Sequence, residues 1–413
     1  MKQIVLFLFF IAMNLHMQAQ DTTRVLFIGN SITYFNNMPQ TFEAIANSHG
    51  DTTAVTVYAP GGTGFVNHVS NPNVFAQFRQ GNWDYVVLQP GSNESPGYSY
   101  PISETLSRGR ILQDSIYKYN PCAKVLFYEI SYGVWGNSAS NLATYNNTMT
   151  AIRNNLTYLS DSTETFFAPV GEAFRTAWNQ DQNSLLWGSY GDIHPNAKGS
   201  YIAACVFYAT IFQKPSRGST VVTSLSAADA DFYQELADTT VLNYLSNWRI
   251  NTFAPTIDFN YTTNGNTISF TNLSTNIDSS FWDFGDGTTS TVFDPMVTYG
   301  GTGNYNVTLT TYKNGCAKSM EQTVAIGVLG VENVKTWSGS FIYPNPTKDY
   351  LNIELEQDHS KYHFEVYNHL GELIVKTNKR SIQIAHLPNG IYYINVVNTE
   401  TLESQIHKWK KYS

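Results

Sequence analysis

Between residues 21 and about 250 the chain alternates short, β-branched apolar runs with longer stretches of helical period; after Ala254 the alternation stops. Strands separated by helices must return in the same direction, so this half is expected to form a parallel sheet covered by helices on both faces. The strand expectations are 24–28, 54–58, 84–89, 124–130 and 165–170. The helix expectations are 39–48, 103–119, 140–158, 172–178 and 197–212. Ligands bind such sheets outside the carboxyl ends of the strands. Ser31, Gly62 and Asn93 each fall just beyond a predicted strand.

Beyond residue 254 only short strands survive, such as 267–271 and 305–312, separated by Gly- and Asn-rich turns, which predicts a small two-sheet sandwich. A connecting segment at 329–340 leads to a second strand-rich unit at 341–413, where Asn389-Gly390 signals a tight turn before 391–397. A length of 413 residues exceeds one ordinary core, so several domains are expected. The formal net charge of −8 argues against nucleic acid as a partner, since phosphate binding needs a basic face.

Residues 1–20 read as a signal peptide: Lys2, an apolar stretch from Ile4 to Met13, then Gln18-Ala19-Gln20. The apolar part is shorter than the ~20 residues needed to span a bilayer, so an exported chain without a transmembrane segment is expected. Cys122, Cys205 and Cys316 lie far apart, Cys205 within an apolar run. They show neither metal spacing nor a disulfide framework, and a fold without disulfides is expected.

Four short segments carry chemistry. Gly29-Asn30-Ser31 ends the first strand, and a serine on a sharp turn beside free backbone N–H groups suits a nucleophile; an Asn/Ser helix cap accounts for it equally well. Gly61-Gly62-Thr63-Gly64 follows the second strand, where Gly62 N–H would serve as an oxyanion donor or simply form a glycine turn. Gly91-Ser92-Asn93-Glu94 follows the third; there the Asn93 amide would donate to the same oxyanion or simply belong to an Asn-containing loop, and Glu94 would structure that loop. Gly191-Asp192-Ile193-His194-Pro195-Asn196 precedes the 197–212 helix, where His194 would deprotonate Ser31 or simply be a surface histidine at a helix entrance.

Taken together, in this order and strand placement, these segments resemble the SGNH (GDSL-like) hydrolase superfamily over residues 21–250. The resemblance implies a three-layer, flavodoxin-like α/β fold with ester-hydrolysing chemistry. It makes Ser31 the nucleophile and His194 the base, with an oxyanion hole formed by the backbone N–H groups of Ser31 and Gly62 and the Asn93 side chain. Two positions depart from the pattern. Asn30 stands where the family usually has Asp, and the usual Asp-x-x-His spacing puts Gly191 where the acid should be. Asp192 is therefore one residue closer than expected, and either it or a backbone carbonyl orients His194. No metal or organic cofactor is required.

Phe281-Trp282-Asp283-Phe284-Gly285-Asp286-Gly287, with Val297-Thr298-Tyr299 and Gly303-Asn304-Tyr305-Asn306-Val307, resembles a PKD-type immunoglobulin-like module over 254–328. Such modules act as spacers or as adhesive units on polymers, so the resemblance leaves two roles open, a spacer or a polysaccharide contact. Tyr343-Pro344-Asn345-Pro346, Gly371-Glu372-Leu373, Leu387-Pro388-Asn389-Gly390 and the basic end at Lys408–Lys411 resemble the C-terminal sorting domain of type IX secretion over 341–413. That resemblance implies the type IX machinery as a partner and a secreted or cell-surface destination. The leading expectation is a secreted serine esterase removing O-acyl groups, acetyl first, from carbohydrate. The alternatives are a glycan-binding surface protein that has lost turnover, and a lipase-type enzyme on lipid esters.

Overall fold

The computed structural model describes residues 22–326, 340–355, 359–400 and 404–412; the leader read at 1–20 and all but the last residue of the segment read at 329–340 lie outside them. The described residues divide into two compact units, the first running to Val324 apart from 301–303 and the second comprising the remainder.

In the first unit β1 (Thr23–Ile28), β2 (Thr53–Tyr58), β3 (Tyr85–Leu88), β4 (Lys124–Tyr128) and β5 (Phe166–Ala168) form one sheet in the order β2-β1-β3-β4-β5, every neighbouring pair parallel. Val25 through Ile28 are wholly buried, which is why β1 reads as an unbroken apolar run instead of alternating. From β1 the chain steps out to β2 and then back across β1 to β3. That reversal opens a crevice at the carboxyl ends of β1 and β3, where a doubly wound sheet holds its ligand. The flavodoxin-like α/β architecture is thus present.

The helices are α1 (Ser31–Tyr34), α2 (Met38–Ser48), α3 (Phe65–His68), α4 (Pro72–Arg79), α5 (Ile102–Tyr119), α6 (Ala139–Thr163), α7 (Val170–Gln180), α8 (Ala197–Phe212) and α9 (Ala227–Leu242). Every residue of α8 from Gly199 to Ile211 is buried. A helix apolar on all sides belongs in an interior, and α2, α7 and α9 pack around this one. The sequence reading had no helix at α9. Its signals are the Ser226 cap, whose hydroxyl accepts the Asp229 N–H, and the buried series Ala230, Tyr233, Ala237, Val241.

The remainder of the first unit is a sandwich. β6 (Phe259–Asn264), β7 (Thr267–Asn272) and β10 (Met296–Thr298) form one sheet; β8 (Ser279–Asp283), β9 (Thr289–Ser290), β11 (Gly303–Lys313) and β12 (Cys316–Ile326) form the other. Trp282, Phe284, Phe270 and Phe259 pack between the sheets, with the Phe270 and Phe284 rings 5.4 Å apart. Asp283 and Asp286 accept the backbone N–H groups of Gly285 and Thr288 and so hold the turn between β8 and β9. Cys122, on the turn before β4, is bonded to Cys316 at the start of β12. This corrects the expectation of a fold without disulfides. A separation of 194 residues carries no spacing signal, and only the docking of the sandwich on the α/β layers brings the two Cα atoms within 4.7 Å. Beside it Lys313 pairs with Glu164 and Asp278.

The second unit holds two antiparallel sheets. One comprises β13 (Ser340–Tyr343), β14 (Tyr350–Leu355) and β17 (Ser381–Gln383); the other comprises β15 (Tyr362–Tyr367), β16 (Leu373–Thr377), β18 (Gly390–Asn398) and β19 (Ser404–Lys411). Leu351, Ile353, Phe364, Val366, Ile394 and Trp409 form its core. Among the described residues no helix is long and apolar enough to cross a membrane.

Candidate active site

The turn that carries Ser31 is built by its neighbours. A side chain on Gly29 would collide with Thr33 Oγ1 and Gln89 Oε1, so only glycine lets β1 turn there. Asn30 uses every polar atom it has. Its Oδ1 accepts the Ile32 N–H at 3.0 Å, its Nδ2 donates to Thr63 O at 2.7 Å, and its backbone N–H donates to Gln89 Oε1 at 3.1 Å. A carboxylate in this place would cap Ile32 equally well but would set an oxygen against the Thr63 carbonyl, which explains asparagine where the family pattern has Asp. Gln89 is wholly buried at the β3 exit, and its Oε1 also accepts from Thr33 Oγ1 at 2.7 Å.

Asn36 and Asn37 follow α1 with φ of 51° and 55°. Asparagine tolerates this left-handed region better than most side chains. The turn sends Asn36 Nδ2 to Pro195 O at 2.8 Å and Ser200 Oγ at 3.1 Å, and Phe35 O accepts from Ser200 Oγ. Phe35 stacks on the His194 ring, centroids 4.3 Å apart. The serine segment is therefore strutted directly to the histidine loop.

Within that loop, Asn196 caps α8 by accepting from Lys198 and Gly199 N–H while its amide donates to Leu185 O and Trp187 O. Gly191 takes φ +82°, and its N–H donates to Val134 O at 2.7 Å. The next residue, Asp192, folds its carboxylate back over two positions. Oδ1 accepts the His194 backbone N–H at 2.9 Å and lies 2.7 Å from His194 Nδ1. A carboxylate can only accept here, so the ring proton belongs on Nδ1. His194 Nε2 is then the acceptor for Ser31 Oγ at 2.8 Å. Burial pushes the Asp192 carboxyl upward, but the hydrogen bonds from His194 and Ile193 outweigh it and hold the group below the ordinary aspartate range. The two-residue spacing, short in the family register, closes through this local aspartate turn.

The loop after β2 is tied to the serine turn through Asn30 Nδ2 and Thr63 O, and the loop after β3 packs against it. Gly62 is exposed at φ +70°, a conformation that favours glycine. Gly64 and Gly91 abut so closely that a side chain on Gly64 would strike the Gly91 backbone. Between them is Glu94, whose buried Oε2 accepts the Phe65 and Gly91 N–H groups at 2.7 and 2.8 Å. Its Oε1 accepts the Val66 N–H at 2.9 Å, with Arg108 at 3.4 Å. Asn93 stands exposed beside it. Tyr132 donates its hydroxyl to Asn93 Oδ1 at 3.1 Å, which orients the amide and leaves Nδ2 as the donor end.

Ser31, His194 and Asp192 are thus joined in one hydrogen-bonded chain, and Gly62 and Asn93 stand on the loops that flank it. Phe35, Asn36, Gln89 and Tyr132 were missed in the sequence. A polar Gln89 ending Val86-Val87-Leu88, and the consecutive Asn36-Asn37, were legible signals for two of them. Nothing local marks Tyr132.

Residues 253–328 match the family described as PKD domain, and residues 341–409 match the secretion system C-terminal sorting domain, which marks the chain for export. No curated protein matches the chain. Among solved structures, a DUF4886 family protein from Bacteroides uniformis is 16% identical, with 54% of this chain and 95% of that one covered and a TM-score of 0.47. A putative SGNH hydrolase from Slackia heliotrinireducens is 20% identical over 46% and 100% of the two chains, TM-score 0.38. An acetylxylan esterase from Geobacillus stearothermophilus is 16% identical over 45% and 92%, TM-score 0.35.

Proposed function

We propose that residues 21–250 form a secreted serine esterase that removes O-acyl groups, acetyl foremost, from carbohydrate. The observation that carries the reading is the unbroken relay from Ser31 Oγ through His194 Nε2 and Nδ1 to Asp192 Oδ1, at 2.8 and 2.7 Å. In it His194 removes the Ser31 proton as Oγ attacks the ester carbonyl, and Asp192 stabilises the imidazolium that forms. The tetrahedral oxyanion is received by the N–H groups of Ser31 and Gly62 and by Asn93 Nδ2. As the tetrahedral intermediate collapses, His194 protonates the departing sugar oxygen to free the alcohol, and water deprotonated by the same imidazole then releases the acid and restores Ser31. Removal of one oxyanion donor of this kind costs about 3 kcal/mol of transition-state stabilisation.

The sorting domain delivers the enzyme through the type IX machinery to the cell surface or the medium, and the PKD-type sandwich holds it against polymer. Gly191, standing where the family pattern has its acid, favours the rival reading of a glycan-binding protein without turnover; the Asp192 bonds to His194 weigh against it. The test uses the full mature chain: it should release p-nitrophenol from p-nitrophenyl acetate and acetate from acetylated oligosaccharides, and Ser31→Ala should abolish both. Turnover that survives Ser31→Ala, or a wild-type chain inert on short and long esters alike, refutes the proposal.

A further inference from the structure

We infer that Trp135 is the floor of a sugar-binding subsite that admits a neutral pyranose ring beside the Ser31–His194 pair; the inference rests on the esterase reading above and specifies its substrate. The loop after β4 is locked to the histidine loop. Val134 O accepts the Gly191 N–H, and a side chain on Gly133 would strike the Asp192 carbonyl. The six-membered ring of Trp135 packs against Gly191, where an added Cβ would lie 3.0 Å from it. The indole thus rests on the residue that precedes Asp192.

Despite that support the ring is 64% exposed, whereas every other tryptophan among the described residues is at most 4% exposed. Such a ring, set against the histidine loop and left uncovered, offers a flat, electron-rich face. The axial C–H bonds of a pyranose present the complementary, weakly positive face.

Two further observations select the ligand. The loops at the strand exits, residues 29–37, 60–65, 90–100, 130–138 and 188–196, contain no Lys or Arg, and their acids are Glu94 and Asp192. Glu94 is buried in its clamp and Asp192 is bonded to His194, so the rim offers no free charge to a charged sugar or headgroup. The large exposed hydrophobic side chains of these loops are Tyr34, Tyr98, Trp135 and Tyr190, all aromatic and none aliphatic. An acyl chain or a lipid surface is met by aliphatic side chains; flat rings interspersed with Asn, Ser and Tyr hydrogen-bonding groups suit an uncharged polyhydroxylated ring.

The experiment compares two substrates on the full mature chain, an acetylated neutral xylo-oligosaccharide and ethyl acetate, which has no ring to stack, with acid release followed in a pH-stat. Trp135→Ala should raise KM for the oligosaccharide about tenfold, and its loss of kcat/KM there should exceed its loss on ethyl acetate by a similar factor. Trp135→Phe should recover part of the difference. A second arm titrates the same oligosaccharide into Ser31→Ala and into Ser31→Ala/Trp135→Ala by calorimetry, where the double variant should bind about tenfold more weakly. Equal losses on the two substrates, or equal binding by the two variants, overturn the subsite. If wild type hydrolyses ethyl acetate but neither cleaves nor binds the sugar ester, the subsite fails and the esterase stands. If the sugar binds through Trp135 without Ser31-dependent turnover, the esterase fails and the subsite stands.

Discussion

Replacing Glu94 by Gln isolates the clamp that joins the loops carrying Gly62 and Asn93, the proposed oxyanion donors. The carboxylate is only 3% exposed and accepts three backbone N–H groups, from Phe65, Gly91 and Val66, with Arg108 as a fourth, longer contact. Glutamine keeps the shape and one oxygen. If that oxygen serves Phe65 and Gly91, the new NH2 faces the Val66 N–H and Arg108, donor against donor. A hydrogen bond to a charged group contributes about 1.5–3 kcal/mol, and a buried donor without a partner costs about 1–3 kcal/mol. Because water does not reach the site to compensate, the variant should lose about 2–4 kcal/mol, a large share of a typical total of about 5–15 kcal/mol. Gly62 and Asn93 take their positions from the segments this carboxylate ties together, so kcat on p-nitrophenyl acetate should fall about 10- to 100-fold, within the ~3 kcal/mol that one oxyanion donor supplies. Urea unfolding of the full chain, with the slope checked for constancy, measures the first quantity. A midpoint shift worth less than about 0.5 kcal/mol, comparable to an ordinary surface substitution, with wild-type kcat would refute the clamp.

Tyr132→Phe removes only the hydroxyl that orients Asn93 and should lower kcat about 2- to 12-fold, the value of one hydrogen bond, with KM little altered. The same substitution in an Asn93→Ala background should then cost almost nothing; an undiminished loss there would show that Tyr132 acts elsewhere. Asp192→Ala should reduce kcat about 10- to 100-fold at neutral pH through loss of a charge-assisted bond, and wild-type kcat in this variant would mean that Ser31 and His194 suffice. Because the folded Asp192 carboxyl sits below its unfolded value of 3.8, its stabilisation is present above that pH and fades as pH falls through the lower folded value. The gap in unfolding midpoint between wild type and Asp192→Ala should therefore close on acidification below pH 3.8, and a gap that widens there contradicts the assignment.

Local pattern carried much of the architecture. The wholly apolar Val25–Ile28 stretch could only be an interior strand of a covered sheet, and the predicted helix at 197–212 coincides with α8 (Ala197–Phe212) because its cap, Asn196, and its continuous apolar run both lie in the sequence itself. The helix at α9 escaped because its apolar residues are diluted by Asp229, Asp231 and Glu235 and by Gln234, a polar residue on the buried side. Its burial shows only once α8 is beside it. Ser31 and His194 were legible as residues flanked by Gly and by Pro-Asn at strand and helix boundaries. Their meeting was not, since it depends on Asn36 crossing 159 residues of sequence to reach Pro195 O.

By itself the sequence determined the kinds of layer, the order of the five parallel strands along the chain with the longer helices up to α8, and which side chains end up at strand exits, because periodicity, capping and turn chemistry act over a few neighbours. The tertiary structure decided the Cys122–Cys316 bond, the Glu94 clamp, the Tyr132 hold on Asn93 and the reach of Asp192 to His194. All but the last join residues distant in the chain. That one joins near neighbours, yet its geometry requires Gly191 to be pinned at φ +82° by the carbonyl of Val134. Directional bonds at about 3 Å are set by where whole elements pack, and no local pattern in the chain encodes that distance.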